Sequence, residues 1–574
     1  MVDMSESIYI TNMNTCEPAS GISSQWERNS WRAVPYETVD GLNGTMLMAT
    51  TDIDPPPVQL PLNLTGWFRI YLGLGCADGN NGSLPSVKVK LTDDPAYVTL
   101  SAPGRFWWME FREIFWKETD VTGQSLVVAK PKGIHNGGPM PVQSYIAYVR
   151  LEPLAADEVE AIKRDRADVT TKRIIGTEDG WSAIALEYPT TAEELKERIL
   201  PYQHSDVRTI FYNAAAGDAV NYPETKVGTA PRLSDGAIYP RWLDRTLHQS
   251  FEEFRKKRID PVEVLCDFAH ELGLEFHTTV RTGSFACEPP YDEVFTSDFY
   301  RDHPEFRCRT KDGREIARLS YAFPEVQQHM LELFCEITER NIDGFGLIFI
   351  RGLPVLLYEQ PLIDGFKKHY GIDPRDLPDD DQRVGAYRGE VFTDFFRRVK
   401  TTLNALREKQ GRPALKFSAI VPATQSLNDM LGLDVRTWAK EALLDILAPD
   451  FSLQDRSVPY GMNEAPENLE LDFFIDAVKG TDCCLAPRLA YFHNEKGPQY
   501  LAALYDKGID SGYIWDSAGC FQYTSQQWFL VRHYGHKDLV RQWAQKGIKP
   551  DETFIRLKTL GGFTMDQFPG NLAY

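Results

Sequence analysis

The chain has 574 residues, 43% of them hydrophobic and 25% charged, a globular composition long enough for more than one domain. Its formal net charge of −20 excludes a general phosphate-neutralising surface, so neither nucleic acid nor an anionic membrane is an expected partner. The start MVDMSESIYITNMN has no basic segment followed by an apolar run, and no stretch approaches the roughly 18 apolar residues of a membrane helix; a cytoplasmic protein is expected.

Residues 1–153 contain short β-rich segments separated by turn clusters such as ADGNNGS. Strands are predicted at Trp67–Leu72, Ser86–Leu91, Tyr97–Leu100, Phe106–Phe111, Leu126–Val128 and Tyr145–Leu151, the pattern of an all-β sandwich. Phe106, Trp107, Trp108 and Trp116 are either a platform for sugar rings or the filling of a small core. A charged stretch, Ala155–Lys172, reads as a solvated helix within a linker spanning 154–180.

From 181 to 546 short apolar strands alternate with longer helical segments, which points to βα units and a parallel sheet. The strands are predicted at Ala183–Leu186, Val207–Tyr212, Leu274–Thr279, Gly344–Ile350, Leu415–Val421, Leu443–Ala448, Cys483–Ala486 and Gly512–Trp515. Eight such units in succession make the fold class α/β, a (β/α)8 TIM barrel preceded by the sandwich. Residues 547–574 form a C-terminal extension that can pack on either domain.

A (β/α)8 barrel works at the C-terminal ends of its strands and in the loops that follow. That rule selects Asp450, Asp516, Glu464 and Glu359 as candidate catalytic carboxylates. It also selects Asn213, Tyr212, Arg281, Arg351, Tyr358, Arg488, His493 and Trp515 as candidate substrate-binding groups. Carboxylates, aromatics, amides and arginines on one rim suit a sugar, because rings stack on Trp and Tyr and glycosidic cleavage uses two carboxyl groups. Asp516, beside Trp515, is the expected proton donor, since burial there raises a carboxyl pKa. Three strand-end arginines leave room for an anionic sugar. No HxH, HExxH or spaced cysteine pattern calls for a metal, and nothing calls for a cofactor. A homo-oligomer is left open.

The run Asn341–Arg351 (NIDGFGLIFIR), then Tyr358-Glu359, then FKKHYGIDP ending at Pro374, resembles the glycosyl-hydrolase-10-like TIM barrels that carry an N-terminal β-sandwich. The segment WAKEALLDILAP ending at Pro449 is similar to the same family's passage from fifth helix to sixth strand. The resemblance covers roughly Leu274 to Asp516 and implies a glycosidase on an oligo- or polysaccharide. It also implies an acidic residue late in the fourth strand, where this chain has Phe349-Ile350. The glutamate pair of the large retaining clan is missing too, since the seventh strand ends in Pro487-Arg488. Two other classes therefore stand beside the hydrolase: a barrel that binds glycan without cutting it, and a carbohydrate lyase or epimerase.

Overall fold

The computed structural model describes residues 7–75, 85–102, 110–132, 134–135, 138–139, 143–233, 236–453, 470–490, 496–515, 525–548 and 553–565. Eight parallel strands form one sheet in the spatial order 7-6-5-4-3-2-1-8. They are β1 (Ile174–Glu178), β2 (Val207–Ala216), β3 (Glu275–Arg281), β4 (Gly344–Ile348), β5 (Lys416–Pro422), β6 (Ile446–Asp450), β7 (Cys484–Leu485) and β8 (Gly512–Ile514). A parallel bridge between Arg488 and Tyr513 joins the two ends of that order, and the sheet closes into a (β/α)8 barrel.

Seven of the eight strands lie where the alternating pattern places them. The exception is the first. Ala183–Leu186 lies in a helix, Ser182–Glu187, and the first stave is Ile174–Glu178, inside the residues read as linker. A short apolar run such as the one after Trp181 has no readable period, so strand and helix look alike there. Two helices follow β8, Ser525–His533 and Lys537–Lys546, separated by Tyr534-Gly535-His536.

Alternation along the strands sorts the side chains. Ile175, Phe211, Ile348, Ile420, Ile446, Ala448, Ala486 and Tyr513 form a core inside the barrel, and Trp515 packs against it. Their neighbours in sequence, such as Tyr212, Phe276, Phe345 and Phe417, join the larger core between the staves and the helices. His277 also points inward, stacked on Phe211 with centroids 5.3 Å apart. Gly344 makes that possible: a Cβ there would lie 2.4 Å from His277 Nδ1.

The N-terminal region is two sheets. A four-stranded sheet, Val58–Pro61, Ser86–Leu91, Val98–Ser101 and Ser125–Ala129, faces a nine-stranded one built on Trp67–Gly75, Glu110–Asp120 and Ser144–Pro153. Leu60, Val87, Val89 and Val128 from the first meet Ile70, Leu72, Ile114 and Val149 from the second. Trp116 lies in this core, 3% exposed, so it fills space and is not a platform for sugar. Phe106, Trp107 and Trp108 lie outside the described residues.

The C-terminal extension resolves its own ambiguity. Thr553–Leu560 is a strand of the nine-stranded sheet, antiparallel to both Glu110–Asp120 and Trp31–Thr38. The helix Ala156–Ala167 lies where a solvated linker helix is expected, and it is tied to the barrel through His536. That imidazole bridges Asp206 (Nδ1 to Oδ2, 2.7 Å) and Asp165 (Nε2 to Oδ1, 2.7 Å). Among the described residues no helix is long and apolar enough to cross a membrane.

Hydrogen bonding to Asp206, then to Asp165, raises the His536 pKa to about 9. An unfolded imidazole titrates near about 6.5, so this bridge stabilises the fold fully below that pH and is lost as the pH rises through the folded value. Thermal unfolding followed from pH 6 to pH 10 is expected to show a midpoint that falls on the alkaline side, by an amount that solvent screening at the exposed Asp165 end keeps small. His536→Gln should flatten that slope, and equal slopes for the two proteins would refute the bridge.

Candidate functional site

The C-terminal ends of β6, β7 and β8 bring three buried polar side chains together. Asp450, the last residue of β6, is fully buried. Its Oδ1 accepts from the Ser452 backbone N–H at 2.7 Å, and Arg488 Nη1 approaches Oδ1 at 3.3 Å and Oδ2 at 3.5 Å. Tyr513, in β8, donates its hydroxyl to Asp450 Oδ2. Each residue reaches the barrel interior because each sits on the inward parity of its strand. Arg488 follows Ala486 by two, and Tyr513 precedes Trp515 by two. A carboxylate inside a barrel carries a large desolvation cost, and an adjacent guanidinium with two hydrogen-bond donors is what offsets it.

Across the mouth Arg351, just beyond β4, lies over the Trp515 indole with its guanidinium carbon 5.3 Å from the ring centroid. The guanidinium thus covers one face of an indole that packs on the inner core of the barrel.

The ends of β1, β2 and β3 make a second polar group. Asp179, immediately after β1, accepts from the backbone N–H groups of Trp181 (2.9 Å) and Ser182 (2.6 Å) and from the Ser182 hydroxyl (2.5 Å). It therefore caps the helix Ser182–Glu187. Arg281 brings Nη2 to 4.0 Å from Asp179 Oδ2, and its Nε and Nη2 are buried with no hydrogen-bond acceptor. Asn213 is buried beside them, its carbonyl accepting from Asn221 Nδ2 at 2.8 Å.

The other candidates fall elsewhere. Tyr212 turns out of the barrel and stacks on Phe276, centroids 5.7 Å apart, because it is one residue out of step with the inward-facing Phe211. Tyr358 packs with Phe366, Leu377 and Val384 in a satellite cluster, under the guanidinium of Arg388. Glu359 is 1% exposed, and both its oxygens are engaged: Oε1 by the Arg309 N–H at 2.9 Å, Oε2 by the Ser320 hydroxyl at 2.8 Å and the Leu357 N–H at 2.9 Å. It fastens the long β3 loop to the start of the helix Gln360–Tyr370. Asp516, Glu464 and His493 lie outside the described residues.

Two members of these clusters, Tyr513 and Asp179, were not among the sequence candidates. Strand parity reveals the first, since Trp515 at the rim implies an inward Tyr513. The misplaced first strand hid the second.

Among the described residues Cys266, Asp267 and His270 present three metal-type ligand atoms within 4.8 Å of one another. His270 Nε2 is already engaged by Asp343 Oδ2 at 2.8 Å.

The sequence matches no protein-family model and no curated protein. Among solved structures it is similar to the glycoside hydrolase domain of PgaB (BpsB) from Bordetella bronchiseptica, at 12% identity and TM-score 0.40, over 65% of this chain and 98% of that one. It is also similar to the noncanonic maltogenic alpha-amylase AmyB from Thermotoga neapolitana, at 11% identity and TM-score 0.35, over 64% and 77%. A ruminal GH26 endo-beta-1,4-mannanase is similar at 8% identity and TM-score 0.29, over 95% and 96%. These neighbours are glycoside hydrolases, none of them described as glycosyl-hydrolase-10-like. At such scores the likeness assigns this chain neither activity nor substrate; the barrel stands on its own strand order.

Removing Arg488 leaves the Asp450 carboxylate buried without its countercharge, which costs about 3–5 kcal/mol. Arg488→Met is therefore expected to lower the urea midpoint sharply, and adding Asp450→Asn should restore part of the loss. A single variant within about 1 kcal/mol of the parent would show the pair to be dispensable.

Proposed function

We propose that this protein is a glycoside hydrolase acting on an oligo- or polysaccharide at the C-terminal mouth of the barrel. The observation that carries this reading is the Asp450–Arg488–Tyr513 constellation at the ends of β6 to β8. Arg488 lies against both carboxylate oxygens, and Tyr513 and the Ser452 N–H fix the plane of the group. Each carboxylate oxygen already accepts two hydrogen bonds, so an anomeric carbon or a water would take the place of the long 3.5 Å Arg488 contact on Oδ2. Asp450 takes the part of the ionised group, and Asp516, two residues past β8, that of the proton donor.

Arg351, held over the Trp515 indole, supplies guanidinium donors for sugar hydroxyls. Arg281, with Nε and Nη2 lacking acceptors, suits a sugar bearing a carboxylate or sulfate. Asn213 supplies a fixed amide at the same rim. A carboxyl separation of about 5 Å leads to retention of anomeric configuration and about 6.5–9.5 Å to inversion.

One observation favours a second reading, a barrel that binds glycan without cutting it: Asp450 has no solvent-exposed surface. A screen of chromogenic glycosides and of neutral and anionic polysaccharides separates the two. On a substrate so found, Asp450→Asn and Asp516→Asn are each expected to lower turnover by about 10²–10⁴-fold while ligand binding survives. Near-normal turnover in both would reject these roles and make Glu464 the next residue to test. Binding with no turnover of any bound glycan would establish the second reading.

A further inference from the structure

A cavity of about 710 Å³ lies between the N-terminal sheets and the barrel. Its walls are the strands Trp67–Gly75 and Glu110–Asp120, the helix Ala156–Ala167, the approach to β2 at Pro201–His204, and the last two barrel helices. His204 precedes Val207, the first residue of β2, so this cavity lies towards the N-terminal ends of the staves, opposite the end that carries Asp450. It is independent of the reaction proposed above.

The charge in the cavity is unbalanced. Arg69 is paired with Glu118 at 2.9 Å, Lys117 with Asp94 at 2.6 Å, and His536 with Asp165 and Asp206. Two guanidiniums have no such partner among the described residues. Arg166 donates Nη2 to the Glu118 carbonyl at 2.8 Å. Arg532 reaches the Trp116 carbonyl with Nη1 at 3.5 Å, and its Nε is buried without any acceptor. A guanidinium cannot shed its proton to escape burial, so the deficit stays in the fold. Its mark is seen on a neighbour: burial, then Arg166 and Arg532, push the His204 pKa down to about 4. Arg112, Gln203 and His533 also line it, and its apolar part includes Phe115, Phe529 and Leu539.

We infer that this cavity binds a small organic anion, an oxyanion group held by Arg166 and Arg532 on an apolar or aromatic body seated against Phe115, Phe529 and Leu539. Arginine pairs recognise carboxylate, sulfonate and phosphate oxygens through parallel N–H donors, and the volume is that of an ordinary small-molecule site. Such a ligand touches both domains and so favours the docked arrangement by mass action.

The probe is 1-anilinonaphthalene-8-sulfonate, with neutral N-phenyl-1-naphthylamine as its uncharged counterpart, titrated into the full chain by fluorescence. One sulfonate site per chain is expected, at least about tenfold tighter than the neutral amine. Arg532→Gln and Arg166→Met should each weaken the sulfonate by about tenfold and leave the neutral amine unchanged, while Arg436→Met, at an exposed position elsewhere, changes neither. Arg166 is the less enclosed of the two, so its variant serves if Arg532→Gln does not fold. Displacement of the probe by phenylacetate or by phenyl phosphate then identifies the headgroup preferred. Equal affinities for the two dyes, or sulfonate binding indifferent to both arginine variants, would overturn the site.

Discussion

The barrel closes at its weakest staves, and the Asp450–Arg488–Tyr513 network is what holds them. β7 and β8 are two and three residues long, against ten for β2. Main-chain pairing between them comes down to the region of the Arg488–Tyr513 bridge, where Leu489 N donates to Tyr513 O at 2.8 Å and Tyr513 N to Pro487 O at 3.1 Å. Beyond those bonds, one side chain each from β6, from the residues just after β7 and from β8 converges inside the mouth. A buried charge tolerates little displacement of its partner, so three short staves are fixed relative to one another by electrostatics as much as by the ladder. Preorganisation of this kind is also what a reacting carboxylate needs, since a group held rigidly incurs no reorganisation when charge develops beside it. Closure of the barrel and placement of the candidate carboxylate are one constraint.

The motifs behind the family resemblance have local structural causes in this chain. In the "DG" pair, Asp343 Oδ2 accepts from the Phe276 N–H at 2.8 Å and from His270, stapling β4 to β3, while Gly344 leaves the space that His277 occupies. In the YGxDP run, Gly371 adopts φ 74° to end the helix Gln360–Tyr370, and Asp373 caps the short turn Pro374–Asp376. Both are solutions to problems of chain geometry. They explain why the sequence reads as a barrel of this kind without placing a reactive group, and why fold and chemistry must be argued from different residues.

What the sequence made legible follows from the same physics. Long helices such as Pro324–Thr338 and strands flanked by turn residues carry their period openly, and the order of eight βα units could be read from them. The first stave could not. Ile174–Glu178 is five residues directly behind a charged helix, and the more apolar run at Ala183 outweighed it. At the site, Asp450 and Arg488 were readable as strand-end polar residues, whereas Tyr513 required knowing which parity faced inward. A single step of parity separates Asn213, in the mouth, from Tyr212, in the helix layer. Glu359 shows the complementary failure: a loop carboxylate with no visible partner in sequence finds three donors in space.

The return of the chain's end to its beginning shapes the whole molecule. Thr553–Leu560 lies between Glu110–Asp120 and Trp31–Thr38, and Leu557 packs with Val34, Tyr36, Met46 and Phe111 behind the main sheet. Without that strand, two sheet edges would lie open and an apolar face would meet water, the arrangement that soluble β-proteins avoid. The N-terminal sheets are therefore complete only when the barrel between them and the C-terminal strand is in place. Chain connections then tie the two domains at both ends, through the helix Ala156–Ala167 at one and Thr553–Leu560 at the other, and His536 bridges from Asp165 of that helix to Asp206 at the foot of β2. Two tethers and a bridge buried at its Asp206 end oppose hinge motion between the domains. The basic cavity between them is thus part of the docked geometry, with Arg166 and Arg532, which have no ion-pair partner among the described residues, in its wall.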